Sequence, residues 1–247
     1  MFLNLSIFKR GLIAALIPFS AVNAEIIIHG TRAIYPSDAR EITLQLSNNG
    51  NNPALVQAWI DDGDAKSSPD QAKAPFMINP PISRVDPKKG QSLRITSLPK
   101  AQQLSKTQET LFWLNVLDIP PKPTSTSKDK DKDAVPDNFL QLAIRSRIKF
   151  FYRPSGIKED VNLAPERIQW TSNGSGLKIK NPTPFYITIT SIIQENSGKK
   201  VDLLSEGLML KPNSEETVAL KQKSIEKMAF TTINDYGGRV TRDIKLR

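Results

Sequence analysis

The sequence predicts an all-β protein made of two immunoglobulin-like β-sandwich domains. Short segments in which apolar residues alternate with polar ones recur along the chain, and clusters of Asn, Asp, Gly, Pro and Ser separate them. No amphipathic helix pattern competes with these segments in the first half of the chain. Beyond residue 24 there are roughly 220 residues, enough for two domains with separate cores. We place the domains at residues 25–154 and 155–247.

The first 24 residues have the pattern of a secretory signal peptide. Lys9 and Arg10 precede a short apolar stretch at 11–19, and a Val-Asn-Ala sequence ends at Ala24. A membrane span needs ~20 apolar residues, which is more than this stretch offers. We therefore expect cleavage after Ala24, export, and no insertion into a membrane.

In the first domain, alternating apolar residues predict a succession of strands. They are marked by Ile26, Ile28 and Ile34; Ile42, Leu44 and Leu46; Ala54 to Ile60; Phe76 to Ile78; Leu93 and Ile95; and Leu111 to Leu117. The acidic cluster at 61–64 follows one of these strands. We interpret it as a solvent-exposed turn, because it lacks the spacing and the later Glu of a calcium loop.

The longest predicted strand covers residues 138–154. Leu140, Leu142 and Ile144 alternate with polar or small residues, and cations and aromatic residues follow them. A long, apolar and cationic strand invites another chain to pair with its edge. We therefore expect strand addition, with the three apolar side chains filling a groove of the partner. The alternative is that these three side chains face the core of their own domain.

A polar segment precedes this strand, and a second strand-rich region follows it. Residues 120–139 are rich in Pro, Ser, Thr and alternating charges, which predicts a flexible loop. The strands of the second domain are marked by Ile168 and Trp170, Leu177 and Ile179, Ile187 and Ile189, Val218 and Leu220, Met228 and Phe230, and Ile244 and Leu246.

The residue content argues against catalysis, and the export pattern argues against nucleic-acid binding. His29 is the only histidine, cysteine is absent, and no nucleophile or zinc-protease motif occurs, so we predict no enzyme, no metal and no other cofactor. The net charge is +9, and loss of the signal peptide would leave +7. Such a charge suits nucleic acid as well as an acidic protein ligand. Because an exported protein meets little nucleic acid, we expect a protein partner and no nucleic acid.

Seven segments together carry a resemblance to a known family. They are TRAIYP, QAWI, NPPISRVDP, ETLFWLNVLDIPP, LQLAIRSRIKFFYRP, KNPTPFY and INDYGG, in this order. The sequence resembles the periplasmic chaperones of the chaperone–usher pilus pathway across nearly all of its mature length. The segment LQLAIRSRIKFFYRP looks like the G1 strand of the short-loop branch of that family. The F1–G1 loop before it is longer than is usual for that branch.

The resemblance implies a periplasmic chaperone of boomerang or L shape. Its partners would be pilus or fimbrial subunits that lack their final strand, together with an outer-membrane usher that receives them. Leu140, Leu142 and Ile144 would fill the groove of the subunit, which is called donor-strand complementation. Strand exchange along the fibre would drive release, so no nucleotide or metal is implied. The alternative is a secreted adhesion or binding module of tandem immunoglobulin-like domains.

Two groups of charged residues also match functional positions of the family. Arg32 and Lys149 match a cation pair that holds the C-terminal carboxylate of the subunit. Lys149 has the opposite parity to Leu140, Leu142 and Ile144, so an unbroken strand would aim it at the other face. Strand twist or a bulge could bring Lys149 to the face of the apolar residues, or the cleft could lie on the opposite face.

The second group is a charged network across the domain interface. It consists of Glu109, Arg153 and Asp235, and the alternative is three independent surface charges. The resemblance also suggests a cis peptide bond before Pro80.

Overall fold

The structure is a computed structural model. It describes residues 25–122, 140–172, 174, 176–221 and 226–246. The predicted signal peptide and most of the loop predicted at 120–139 lie outside the described residues.

The first domain is a sandwich of two sheets. Its strands are β1 (Ile26–Ile28), β2 (Arg32–Pro36), β3 (Glu41–Asn48), β4 (Ala54–Asp61), β5 (Phe76–Asn79), β6 (Ile82–Val85), β7 (Gly90–Ser97), β8 (Thr110–Ile119) and β9 (Ile144–Arg153). The sheets have the orders β1-β3-β7-β5 and β2-β9-β8-β4-β6. In the described part of this domain, only β2 and β9 pair in parallel. A 3₁₀ helix at Pro99–Gln103 lies between β7 and β8.

Aromatic residues form the centre of the first core. Tyr35, Phe76 and Phe150 are buried, with ring centroids 5.3 Å apart for Tyr35 and Phe76 and 4.7 Å apart for Phe76 and Phe150. Such pairs contribute about 0.5–1.5 kcal/mol beyond the area that they bury. Because Phe150 lies on β9 and Phe76 on β5, the cluster joins the two sheets.

The second domain is also a two-sheet sandwich. It begins with a 3₁₀ helix at Val161–Arg167, and its strands are β10 (Gln169–Ser172), β11 (Gly176–Lys180), β12 (Ile187–Asn196), β13 (Lys199–Asp202), β14 (Leu208–Leu210), β15 (Glu215–Ala219), β16 (Lys227–Ile233) and β17 (Arg239–Asp243). One sheet has the order β10-β11-β15. The other has the order β13-β12-β16-β17, with β14 also paired to β12. Trp170 and Phe230 pack in its core with ring centroids 4.9 Å apart.

The predicted first strand is in fact two strands in different sheets. Ile26–Ile28 pairs with β3, whereas β2, which contains Ile34, pairs with β9. Gly30 lies between them with a φ of +131°, a conformation that favours glycine. The prediction of one strand was wrong because the apolar alternation continues across the switch between sheets. The peptide bond between Asn79 and Pro80 is cis, as the resemblance suggested.

The predicted strand at 138–154 begins only at Ile144. In the ladder with β8, Ile144 lies opposite Asp118, so residues further back would face Pro120 and Pro121. Proline has no N–H to donate, and the ladder therefore ends. Gln141 instead donates a side-chain hydrogen bond of 2.7 Å to the carbonyl of Pro120. The apolar alternation extends beyond the region where backbone pairing is available.

Candidate functional site

The candidate site is built on β9, whose two faces have different surroundings. Its ladder with β8 is unbroken from Ile144 to Tyr152, so parity is kept along the strand. The core face carries the even-numbered residues, among them the buried Phe150. The cleft face carries the odd-numbered residues, and Lys149 on it donates a 2.9 Å hydrogen bond to Thr188 of the second domain. The cleft between the domains therefore lies on the face of β9 opposite to the face of Leu140, Leu142 and Ile144. The strand has no bulge between Ile144 and Tyr152 that would bring Lys149 to their face.

The side chains of Leu140, Leu142 and Ile144, which we call the donor side chains, are exposed. Their exposed fractions are 82%, 59% and 37%. They extend the apolar row of the core face beyond the end of the sandwich, where Leu140 and Leu142 precede β9. The alternative that these side chains pack into the core of their own domain is wrong.

Part of β9 has only one neighbouring strand. Strand β2 pairs with β9 from Lys149 to Arg153. Residues Ile144–Ile148 pair with β8 on one side and with no described residue on the other. We call this free side of Ile144–Ile148 the open edge. It is a backbone edge to which another strand can be added.

Arg32 and Lys149, the cation pair, meet where the open edge ends. They are direct partners in the parallel β2–β9 ladder. Arg32 Nη1 donates to the carbonyl of Ile233 at 3.3 Å, and its buried Nε has no hydrogen-bond partner in the part of the chain that the structure describes. Arg32 also lines a cavity of about 210 Å³ at the domain interface, together with Tyr186 and Asp235.

The cation pair lacks a carboxylate of its own. No salt bridge links either residue to an acidic side chain among the residues that the structure describes. Burial, and then the neighbouring charge of Arg32, lower the pKa of Lys149 to about 8. Burial also lowers the pKa of Arg32, although Asp235 and Glu109 oppose this. The site is therefore short of negative charge.

The structure brings Glu109, Arg153 and Asp235 together at the domain interface. Arg153 Nε donates to Glu109 Oε1 at 2.6 Å, and its Nη1 donates to Asp235 Oδ2 at 2.7 Å. The other carboxylate oxygen of Glu109 accepts the backbone N–H of Tyr186 at 2.8 Å. Burial raises the pKa of Glu109, even though Arg153 lies beside it. The three charges form one interdomain network that joins the residue before β8, the end of β9 and the β16–β17 turn.

A second charged cluster on the cleft face was not predicted. Asp61 has a fully buried side chain and accepts hydrogen bonds from Arg147 Nη2 at 2.6 Å and from Asn115 Nδ2 at 2.7 Å. Arg145 donates to Asn115 Oδ1 from Nε and Nη2, at 2.8 and 2.6 Å. We call these four residues the arginine network. The interpretation of 61–64 as a solvent-exposed turn was wrong for Asp61.

A signal for this network was present in the sequence. Arg145 and Arg147 share the parity of the cleft face, and two partly buried cations side by side favour a carboxylate partner. Asp61, which follows a predicted strand of the same domain, was a candidate, but the strand order that places it two strands from β9 was not known. The guanidinium groups also stack on tryptophans, with Arg145 4.8 Å from the ring centroid of Trp59 and Arg147 4.2 Å from that of Trp113.

Two further properties concern only the part of the chain that the structure describes. There, no group of three or more His, Cys, Asp or Glu side chains is arranged to hold a metal ion. No helix in those residues is both long and apolar enough to cross a bilayer.

The fold and the cleft define a protein of two immunoglobulin-like β-sandwich domains joined by a charged interface. Two family models match the chain: "Pili and flagellar-assembly chaperone, PapD N-terminal domain" over residues 25–158, and "Pili assembly chaperone PapD, C-terminal domain" over residues 163–244. The chain belongs to this family of pilus-assembly chaperones. The prediction of the family and the all-β fold class are confirmed.

Individual relatives agree with this assignment. The chaperone protein MrkB of Klebsiella pneumoniae is 46% identical over 231 residues, which cover 93% of this chain and 94% of MrkB. The crystal structure of the CupB2 chaperone of Pseudomonas aeruginosa is 33% identical, with a TM-score of 0.74 and coverage of 90% of this chain and 100% of CupB2.

A third relative was solved with its partner. It is the SafB chaperone of Salmonella enterica in complex with the SafA pilin, and it is 29% identical with a TM-score of 0.71 over 90% of this chain and 96% of that chain. The relatives are named as chaperones, a non-enzymatic family, which confirms that this chain is not an enzyme.

Proposed function

We propose that this chain is a periplasmic chaperone that binds pilus subunits by donor-strand complementation and delivers them to an outer-membrane usher. The observation that carries the proposal is the open edge of β9. It has exposed donor side chains at one end, and at the other end it has the cation pair, which has no salt bridge within the described residues. The export pattern of residues 1–24 and the SafB–SafA complex support the periplasmic location and the class of partner.

The parallel pairing of β2 favours one orientation for an added strand. Strand β2 occupies the same side of β9 as the open edge and begins at Arg32, opposite Lys149. A strand added along Ile144–Ile148 and parallel to β9 would end where β2 begins. Its C-terminal carboxylate would then meet the cation pair. An antiparallel strand would bring its N-terminal end to the two cations, where no carboxylate terminus is available.

The donor side chains would supply most of the apolar contact. Complete burial of an apolar side chain of this size is worth about 1.5–3 kcal/mol, so the three together give roughly 5–9 kcal/mol before any cost. Loss of translational freedom and ordering of the subunit strand reduce this sum. The carboxylate contact would fix the register, since a slip by one residue would turn the wrong side chains into the groove.

The experiment separates partner binding from folding. Arg32→Ala and Lys149→Ala should each melt at or slightly above the wild-type temperature, because the two cations repel each other in the free protein. Recovery of a co-expressed tagged pilus subunit from the periplasm should fall sharply, since a desolvated charge pair that loses one member costs about 2–5 kcal/mol. Lys200→Ala, at an exposed cation of the second domain, is the matched control.

Two results would contradict the proposal. A strongly lowered melting temperature would make the cation pair structural. Full subunit recovery with both variants would remove the proposed carboxylate contact and favour the alternative of a tandem-domain binding module.

A further inference from the structure

The open edge lacks a strand on one side, yet it has to present the donor side chains in a fixed register. Residues Ile144–Ile148 are held by β8 alone among the described strands. A segment with one neighbouring strand and partly exposed side chains is where local opening is expected. Ordering it on binding would also lower the affinity for a partner. Another part of the structure is needed to hold this segment.

The arginine network holds it from the cleft face. Arg147 binds Asp61 with two nitrogens, Nη2 to Oδ1 at 2.6 Å and Nε to Oδ2 at 3.1 Å. Arg147 lies on β9 and Asp61 on β4, so this two-pronged contact, which we call the fork, spans the intervening β8. Asn115, the residue of β8 directly opposite Arg147, donates to the same carboxylate. Three strands are therefore tied at one buried acid.

Arg145 extends the contact to the loop after β4. Its Nη1 donates a 2.8 Å hydrogen bond to the carbonyl of Ala65, while Nε and Nη2 bind Asn115. Its Nη2 also lies 3.6 Å from Asp61 Oδ2. The carboxylate of Asp61 thus contacts both Arg145 and Arg147. These two residues lie on the cleft face of β9 and alternate along the strand with residues of the core face.

The carboxylate is well suited to remain charged. Burial alone would raise the pKa of Asp61, but hydrogen bonds from Arg147, Asn115 and the backbone N–H of Gly63 lower it below its usual value. A two-pronged arginine–carboxylate contact also has a fixed geometry. A slip of β9 by one residue would carry Arg147 to the core face and break the fork.

We propose that Asp61 is a positioning residue for strand capture: through Arg147 and Arg145 it fixes the register and order of Ile144–Ile148 before a partner arrives. The ordering of Ile144–Ile148 is a property of the free protein. Only its effect on partner binding rests on the proposed function. Asp61 touches no partner strand in this arrangement. It acts through the two arginines.

Hydrogen exchange of the free full-length protein tests the inference. In Asp61→Asn, the amides of Ile144–Ile148 that bond to β8 should exchange about 10- to 100-fold faster, since a hydrogen bond to a charged group is lost. Amides of β3 and β12, which lie outside the network, should keep their wild-type rates. Asp62→Asn removes a neighbouring exposed carboxylate and should change neither set.

A second variant separates the effect of the two-pronged contact from the effect of the positive charge of Arg147. Arg147→Lys keeps the positive charge but cannot form the two-pronged contact, so it should accelerate exchange at the open edge as Asp61→Asn does. Wild-type exchange at the open edge in both variants would overturn the inference. Equal acceleration throughout the first domain would also overturn it, because Asp61 would then be a residue of global stability.

Subunit recovery distinguishes the two proposals. Local acceleration with reduced recovery for Asp61→Asn supports both. If Arg32→Ala and Lys149→Ala leave recovery unchanged while exchange at the open edge still accelerates in Asp61→Asn, the proposed function fails and the ordering role of Asp61 stands.

Discussion

At the scale of single residues, Lys149 shows how the free protein carries an unfavourable charge. It is partly buried and lies beside Arg32, and within the described residues its one hydrogen-bond partner is the hydroxyl of Thr188. Its charge therefore costs free energy in the folded chain. A partner carboxylate would remove that cost, which makes the residue more useful in a complex than alone.

This cost predicts a pH-dependent effect of replacing Lys149. Its folded pKa of about 8 lies below the ordinary lysine value of 10.5, so the unfolded chain binds more protons between these values and stability rises with pH there. At pH 7, Lys149→Met should therefore raise Tm by about 2–4 °C, after allowance for solvent screening of a partly exposed group. The difference from wild type should narrow as the pH rises from 8 to 10.

The check is thermal unfolding of both proteins across this pH range, with Lys149→Arg as a control that keeps the charge. A constant difference at every pH would show that a change in packing, and not the ionised lysine, is responsible.

At the scale of the element, β9 combines three environments in one strand. Its C-terminal half lies between β2 and β8, and Phe150 and Tyr152 on this half are buried. Its N-terminal half has one neighbouring strand and leads into the exposed donor side chains. The strand is therefore anchored at one end and available at the other.

A substitution of Leu142 should affect binding without affecting folding. Leu142 is 59% exposed, so Leu142→Asp should change Tm by no more than the small amount typical of a surface site. Recovery of co-expressed subunit should fall by roughly tenfold or more, because about 1.5–3 kcal/mol of apolar burial is lost and a charge enters the groove. Met77→Asp, at a residue of β5 with 53% exposure, serves as the control. Equal losses in both variants would show a general surface effect.

At the scale of the whole molecule, the interdomain network is a short connection between two separate cores. The core residues of the first domain run from Ile26 to Tyr152, and those of the second from Ala164 to Phe230. Arg153 lies between them in the chain and contacts acids on both sides, with Glu109 nearly inaccessible. A partly buried network of this kind specifies an arrangement more than it adds net stability.

Removal of Arg153 should loosen this arrangement. Arg153→Ala leaves the buried Glu109 without its cation, which should lower stability by about 3–5 kcal/mol. Small-angle scattering should show a broader distribution of shapes, while both domains keep their β circular dichroism. Arg84→Ala breaks an exposed ion pair with Asp86 and should cost under about 1 kcal/mol. Scattering and stability unchanged in Arg153→Ala would contradict a role for the network.

The alternation of apolar and polar residues predicted many of the strands of this fold. The features that it did not predict depend on pairing between residues far apart in the chain. Strands such as β3 and β7 follow from alternation, because one face of each is buried in the same core. Alternation does not reveal which sheet a strand joins, so the switch at Gly30 was not predicted. The parallel pairing of β2 with β9 likewise joins residues far apart in the chain.

The site shows the same division. The row of Leu140, Leu142 and Ile144 was visible as alternation, but its end as a strand depends on Pro120, which directly follows the neighbouring strand β8. The buried state of Asp61 depends on two arginines more than eighty residues away, and the acidic turn around it gave no sign of them. The roles of the predicted site residues stay predictions until a complex is tested.

The two faces of β9 are subject to different evolutionary constraints. Leu140, Leu142 and Ile144 are exposed, so a change there leaves the fold nearly untouched and, under the proposed function, alters the contact with the partner. The charged residues Arg147, Lys149 and Arg153, which are odd-numbered, are bound to Asp61, Thr188 and Glu109, and a change there disturbs the protein itself. Under the proposed function, a lineage can therefore acquire a new range of subunits through substitutions at 140, 142 and 144 alone, while the scaffold that displays them stays constant.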